Sequence, residues 1–138
     1  MRRRAGTVAL AAAVIAIVGC AQETPADVML ITRTGSVPGA HVTLRITDDG
    51  RVSCNGKPLV NITSAQLIEA RALAEDLQKA AKRHLHLPPR PQSVFSYKVK
   101  LPDGTVRFSD NSRRNRTPMF QLAILTHRIA QRGCRLPR

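Results

Sequence analysis

"AHVTLRITDDGRVSC", residues 40–54, carries the pattern from which the fold is predicted. Apolar and polar side chains alternate strictly through its first half. The apolar members of this alternation are Val42, Leu44 and Ile46. A period of two is typical of an antiparallel strand that is buried on one side only. Asp49 and Gly50 predict a tight hairpin turn, so residues 51–54 should return as a paired strand.

The flanking segments extend this hairpin into a larger unit. Residues 27–34, "DVMLITRT", form an apolar, β-branched run that predicts a preceding strand. Downstream, Thr63 and Gln66 have the spacing of a capping box, which predicts a helix from Ser64. Its apolar stripe at helical period comprises Leu67, Ala70, Leu73, Ala74, Leu77 and Ala81.

A second hairpin and a second helix follow. The prolines of "HLPPRPQ", residues 86–92, predict a stiff extended connector. Residues 93–110, "SVFSYKVKLPDGTVRFSD", alternate like a hairpin, with Asp103 and Gly104 expected to form its turn. Thr117 should cap the last helix and Gly133 should end it. The order βββ-α-ββ-α predicts an α+β fold, with an antiparallel sheet of about five strands and two helices packed on one face.

The chain begins with a short apolar segment behind three arginines. Residues 5–19 contain only one appreciably polar side chain, Thr7, and follow Arg2, Arg3 and Arg4. A membrane-spanning helix needs about 20 apolar residues, so this run is too short. Its proportions are those of a secretory signal.

The end of this segment resembles the lipobox of bacterial lipoproteins. Ile17, Val18 and Gly19 are aliphatic or small and precede Cys20. The resemblance implies lipidation of the Cys20 thiol, cleavage just before it and a membrane-anchored protein on the exported face, at the cell surface or facing the periplasm. An ordinary signal peptide and an uncleaved anchor helix are the alternatives. The predicted organisation is a signal at 1–19, a lipidated spacer at 20–26 and one domain at 27–138.

The other two cysteines predict a disulfide. An exported domain folds in an oxidising compartment, and Cys54 and Cys134 are the thiols that are left once Cys20 is lipidated. The alternative is a redox-active or metal-binding pair, although the sequence has no C-x-x-C motif.

Several segments of the domain resemble emfourin-type domains. They are "RTGSVPG" at 33–39, the leucines of the first helix, the second hairpin and "TPMFQLAILT" at 117–126. The resemblance implies a small α+β fold and a family that includes inhibitors of thermolysin-like metalloproteases. Pro38, Arg107, Phe108 and the cysteine pair depart from the family pattern, and no inhibitory residue is carried over.

The sequence does not contain a recognisable catalytic motif. His84 and His86 are separated by one residue at the end of a helix, and no acidic residue or cysteine follows closely to complete a metal site. A G-x-S-x-G elbow is also missing. We therefore predict a non-catalytic binding or interaction module without a cofactor or metal.

The formal net charge of +13 is the strongest remaining signal. Removing the signal takes away three arginines and no acid, which lowers the charge to +10. The predicted basic interaction face comprises Lys79, Lys82, Arg83, Arg90, Arg107, Arg113, Arg114 and Arg116. Its expected partners are anionic lipid, an envelope polymer or an exported protease, because export removes the protein from cytoplasmic nucleic acid. The alternative is that these charges only keep the domain soluble.

Overall fold

A computed structural model describes residues 24–112 and 117–136 and has the predicted α+β architecture. Six antiparallel strands form one sheet in the order β4-β3-β2-β1-β5-β6. The strands are β1 Asp27–Gly35, β2 Val42–Thr47, β3 Arg51–Cys54, β4 Val60–Asn61, β5 Phe95–Leu101 and β6 Gly104–Ser109. The helices are α1 Ser64–Lys82 and α2 Thr117–Arg128, and a π-helical turn, Ile129–Gly133, continues α2.

The core lies between one face of the sheet and the two helices. Ile31 on the central strand β1 is paired with Leu44 on one side and Val99 on the other. All three side chains are fully buried. The apolar stripe of α1 covers this face, with Leu73 and Leu77 inside the core. The alternation of the strands and the helical stripe therefore meet in one hydrophobic layer.

The predicted start of α1 is confirmed in atomic detail. The Thr63 hydroxyl accepts a hydrogen bond from the backbone N–H of Gln66 at 3.2 Å. The Gln66 side-chain oxygen accepts one from the backbone N–H of Thr63 at 2.9 Å. These two bonds satisfy donors that have no partner within the helix, so the helix begins at Ser64 as the sequence predicts.

The prediction of about five strands missed β4. This strand has only two residues, Val60–Asn61, which pair with Val52 and Arg51. It follows Pro58, whose lack of an N–H argues against a strand. A two-residue pairing has no period to detect, so tertiary contacts decide it.

The prediction that Asp103 and Gly104 form the second hairpin turn was wrong by one residue. Gly104 is paired with Leu101 and belongs to β6, which leaves Pro102 and Asp103 as the loop. Gly104 has a φ of 152°, and a Cβ there would collide with the carbonyl of Ala81 at the end of α1. A glycine is required because the helix backbone passes directly over the strand.

The cysteine pair joins the sheet to the helical layer. The structure pairs Cys54 at the end of β3 with Cys134 just after the π-helical turn, and their Cα atoms are 5.8 Å apart. This separation fits a disulfide, as predicted. The Cys134 N–H donates to the carbonyl of Ile129 at 2.9 Å, which closes the wide turn and sets the position of Cys134.

Three of the predictions concern residues that the structure does not describe. The signal segment at 1–19, the lipidation site Cys20 and the arginines at 113, 114 and 116 lie outside the described residues. Within the described ranges, we find no helix with the length and apolar character needed to cross a membrane.

Replacing Gly104 tests the close approach of α1 to β6. We expect Gly104→Ala to lower the free energy of unfolding by about 3 kcal/mol, because the new methyl group displaces the Ala81 carbonyl. Gly56→Ala is the matched control, since Gly56 also has a positive φ but has open space around it. That variant should cost only about 1 kcal/mol of backbone strain. Urea denaturation measures both, and equal losses would contradict the steric explanation.

Candidate functional site

The sheet face opposite the helices is polar and basic on β1, β5 and β6. Alternation turns every second side chain of these strands away from the core. The outward set is Leu30, Thr32, Thr34, Ser96, Lys98, Lys100, Thr105, Arg107 and Ser109. None of these side chains is acidic, and apart from Leu30 all of them carry a hydroxyl group or a positive charge.

Lys98 and Arg107 face each other across β5 and β6. Both are exposed, and neither forms an ion pair with another described residue. Like charges that are directly opposite on neighbouring strands are destabilising. Thr32, on the other side of Lys98, does not relieve this repulsion. An anion bound between the two cations would.

The backbone of Arg107 is held on both sides. Besides its pairing with β5, its N–H donates to the carbonyl of Leu85 and its carbonyl accepts the N–H of Leu87, both at 2.8 Å. His86 of the connector after α1 therefore forms an isolated parallel β-bridge with Arg107 of β6. The prolines of the connector predict its extended form, but they do not predict this pairing.

The connector and the open face enclose a groove of about 280 Å³. The polar groups along it include the hydroxyls of Thr32, Thr34 and Ser96, and the cations Lys98 and Arg107. His86 stands at the connector side, beside the apolar Leu87 and Pro89. Hydroxyl, ammonium and guanidinium groups all donate hydrogen bonds to an oxyanion, so the groove is suited to a phosphate or a carboxylate.

The carboxylates that could neutralise this face are engaged elsewhere. Salt bridges join Asp27 to Arg45, Asp48 to Arg71, Asp49 to Arg51, Glu69 to Arg128 and Asp103 to Lys82. Asp110 accepts hydrogen bonds from Ser93, Val94 and Phe95. The two other described acids, Glu75 and Asp76, are on α1, which covers the opposite face of the sheet.

Asp110 is an example of this structural use. Although partial burial alone would raise its pKa, the hydrogen bonds from Ser93, Val94 and Phe95 hold the pKa of Asp110 below its ordinary value. The carboxylate therefore stays ionised and fixes the start of β5 against the end of β6. It stabilises the frame of the groove and is not one of its lining groups.

The predicted basic residues do not all reach this groove. Arg107 lines it, whereas Lys79 and Arg83 line a separate cavity of about 220 Å³ beside Met119 of α2. Leu87 contributes to both cavities, so the connector separates the two groups of cations. Lys82 points to Asp103, with 3.7 Å between the charged atoms.

Arg90 ties the connector to the loop after β6. Its backbone N–H donates to the side-chain oxygen of Asn111 at 3.0 Å, and the Asn111 amide donates back to its carbonyl at 3.2 Å. These bonds use the backbone of Arg90. They place it close in space to Asn111, the residue that begins the basic loop "NSRRNR".

The two histidines that the sequence singled out separate in space. His84 follows the C-cap of α1 in a left-handed conformation, with a φ of 49°, and His86 lines the groove. Over residues 24–112 and 117–136, no three His, Cys, Asp or Glu side chains come close enough together to hold a metal ion.

Lys98, Lys100 and His86 also belong to the basic face, although they were not among its predicted members. The signal for the two lysines was present, because "SYKVK" alternates and places both on the outward side of β5. His86 carried no such signal, since only the pairing of the connector with β6 brings it to the groove.

No protein-family model matches this chain, and neither does any curated protein or solved structure with which it was compared. The lipoprotein and emfourin-type resemblances of the sequence therefore stay predictions.

Proposed function

We propose that this protein is a bacterial lipoprotein, anchored to the membrane through Cys20, whose domain is a non-catalytic binding module for phosphate groups of anionic lipids. The observation that carries the proposal is the cross-strand pair of Lys98 and Arg107, two like charges on an exposed face whose described outward side chains on β1, β5 and β6 include no acid. A phosphate bound between these two cations would form a favourable, charge-assisted hydrogen bond with each of them.

The anchor and the basic face would act together. Two acyl chains hold a protein firmly to a bilayer, whereas one gives only marginal binding. The short spacer, residues 20–26, would keep the domain next to the head groups, so its cations would meet phosphate at a high local concentration. Each lysine or arginine near an anionic surface contributes about 1 kcal/mol.

Neutralising Lys98 tests the role of the open face. With the chain lacking residues 1–20, we expect Lys98→Gln to weaken binding to phosphatidylglycerol vesicles about fivefold, the equivalent of about 1 kcal/mol. Lys57→Gln is the matched control, because Lys57 is an exposed lysine of the β3–β4 loop that lies away from the groove. Vesicle co-sedimentation measures both variants, with phosphatidylcholine vesicles as the reference without net charge. Binding of the same variants to soluble polyphosphate is measured in parallel.

Equal losses for the two variants would mean that binding follows net charge alone, which would contradict a specific face. Binding to polyphosphate but not to vesicles would point to an envelope polymer in place of lipid. Without any ligand, Lys98→Gln should raise the free energy of unfolding by a few tenths of a kcal/mol, because it removes the repulsion from Arg107.

The anchor has a test of its own. Mass spectrometry of the intact protein extracted from membranes should give a mature chain that begins at Cys20 and carries lipid. Cys20→Ala should release the protein from the membrane or leave it unprocessed. A soluble product that retains a free Cys20 thiol would overturn the anchor and leave the binding face unaffected.

A second candidate function is inhibition of an exported metalloprotease, and the loop at residues 36–40 favours it. Arg33 holds this loop by donating from Nε to the Ala40 carbonyl at 3.0 Å and from Nη2 to the Gly39 carbonyl at 3.2 Å. Val37 on the loop is 42% exposed. A preorganised loop with an exposed apolar side chain loses little entropy when it enters a cleft, and this loop lies in the segment that resembles emfourin-type domains.

An inhibition assay separates this candidate from the first. If the loop inhibits a thermolysin-like protease, Val37→Ser should weaken inhibition about tenfold, as loss of an apolar anchor does. Val60→Ser is the matched control, since Val60 on β4 is 40% exposed. Absence of inhibition by the unaltered protein, or an equal effect of both variants, would contradict the inhibitor function.

A further inference from the structure

A smaller cavity of about 90 Å³ lies between the loop at 36–40 and the π-helical turn. Arg33 of β1 lines it, together with Val37, Pro38, Phe95, His127 and Gln131. The cavity is on the helix side of the sheet, because Arg33 belongs to the same face as the buried Ile31. It is therefore separate from the groove on the open face.

Arg33 is unusual because it is a charged residue on the core-facing side of a strand. Only 7% of its surface is exposed. Its partners are neutral. They are the carbonyls of Gly39 and Ala40, the hydroxyl of Tyr97 and the ring of Phe95, whose centroid lies 5.0 Å from the guanidinium carbon.

None of these partners supplies a negative charge. Burial raises the pKa of Tyr97, so its phenol stays protonated at neutral pH. Among the described residues, no carboxylate oxygen lies within 4 Å of the Arg33 guanidinium. The negative charge of Asp110 also raises the pKa of Tyr97. The Asp110 oxygens themselves accept the hydrogen bonds of Ser93, Val94 and Phe95.

A buried cation without a counter-ion is costly, since neutral hydrogen-bond acceptors replace only part of its hydration. The carbonyls of Gly39 and Ala40 explain why Arg33 holds the loop, but a neutral donor would make the same two bonds. The ring of Phe95 compensates part of the positive charge, but no described carboxylate pairs with it, and it lies beside an open cavity.

We propose that the cavity binds one carboxylate group, which pairs with the Arg33 guanidinium. Carboxylate and guanidinium form short, charge-assisted hydrogen bonds, and this pairing would compensate the buried charge. The volume suits a single carboxylate on a short stem, and Val37, Pro38 and Phe95 provide apolar walls for that stem. The carboxylate belongs either to an aspartate or glutamate of a partner polypeptide or to a small free carboxylic acid. The site shares no residue with the groove at Lys98 and Arg107, and it shares Arg33 and Val37 with the loop of the second candidate function.

Direct observation of the Arg33 Nε–Hε signal by nuclear magnetic resonance tests the site. The full mature chain in neutral detergent micelles is titrated with acetate, and chloride at the same ionic strength is the reference. We expect a saturable shift of this signal with acetate and none with chloride or with the neutral isostere acetamide. The second arm uses a capped peptide with a central aspartate between alanines, and its asparagine analogue.

The two arms identify the source of the carboxylate. Saturation by the aspartate peptide but not by its analogue indicates a polypeptide partner, whereas saturation by acetate alone indicates a small free acid. If neither probe gives a saturable shift, the cavity is not a carboxylate site and the proposal is overturned.

A carboxylate built into the cavity wall gives an independent check that does not disturb Arg33. Gln131 lines the cavity, so Gln131→Glu should place an internal counter-ion beside Arg33, raise the thermal midpoint at pH 7 and weaken acetate binding at least about tenfold. Gln121→Glu is the matched control on the exposed side of α2. It should leave acetate binding unchanged. Identical behaviour of the two variants would overturn the proposal.

Discussion

Strand β1 pairs with both β2 and β5 near the centre of the sheet, and this pairing fixes which side chains face the core. Ile31 lies between Leu44 and Val99 in that register, and all three are sealed beneath the helices. Because strand side chains alternate strictly, burying this row forces the next row, Thr32 with Lys98, to the opposite face. A shift of one residue would place the lysine in the core. Hydrophobic burial therefore fixes the positions of the cations on the open face.

The distribution of acidic residues explains why the open face is positively charged. The chain has few carboxylates for its many cations, and those whose contacts are described serve the frame. Asp48 holds α1 through Arg71, Glu69 holds α2 through Arg128, and Asp103 faces the end of α1 through Lys82. These surface pairs contribute little individually, but their positions leave no described carboxylate among the outward side chains of β5 and β6. The basic groove is a consequence of where the acids are used.

The two candidate sites differ in what each would require of a ligand. The groove at Lys98 and Arg107 is open and lined by exposed cations, which suits a phosphate that exchanges readily at a surface. The cavity at Arg33 is small and its cation is buried, so an anion there would be desolvated and held by geometry as much as by charge. One domain thus presents two kinds of positive site on opposite faces of the same sheet.

Local sequence patterns were sufficient to predict the strand period, the capping box at Thr63, the hairpins, both helices and the cysteine pair. These follow from side-chain spacing, which is fixed along the chain. Four features became visible only in the folded structure: β4, the place of Gly104 in β6, the pairing of the connector with Arg107 and the burial of Arg33. Each of these depends on backbones or side chains that are distant in sequence, and their hydrogen bonds and close contacts exist only once the helices pack on the sheet.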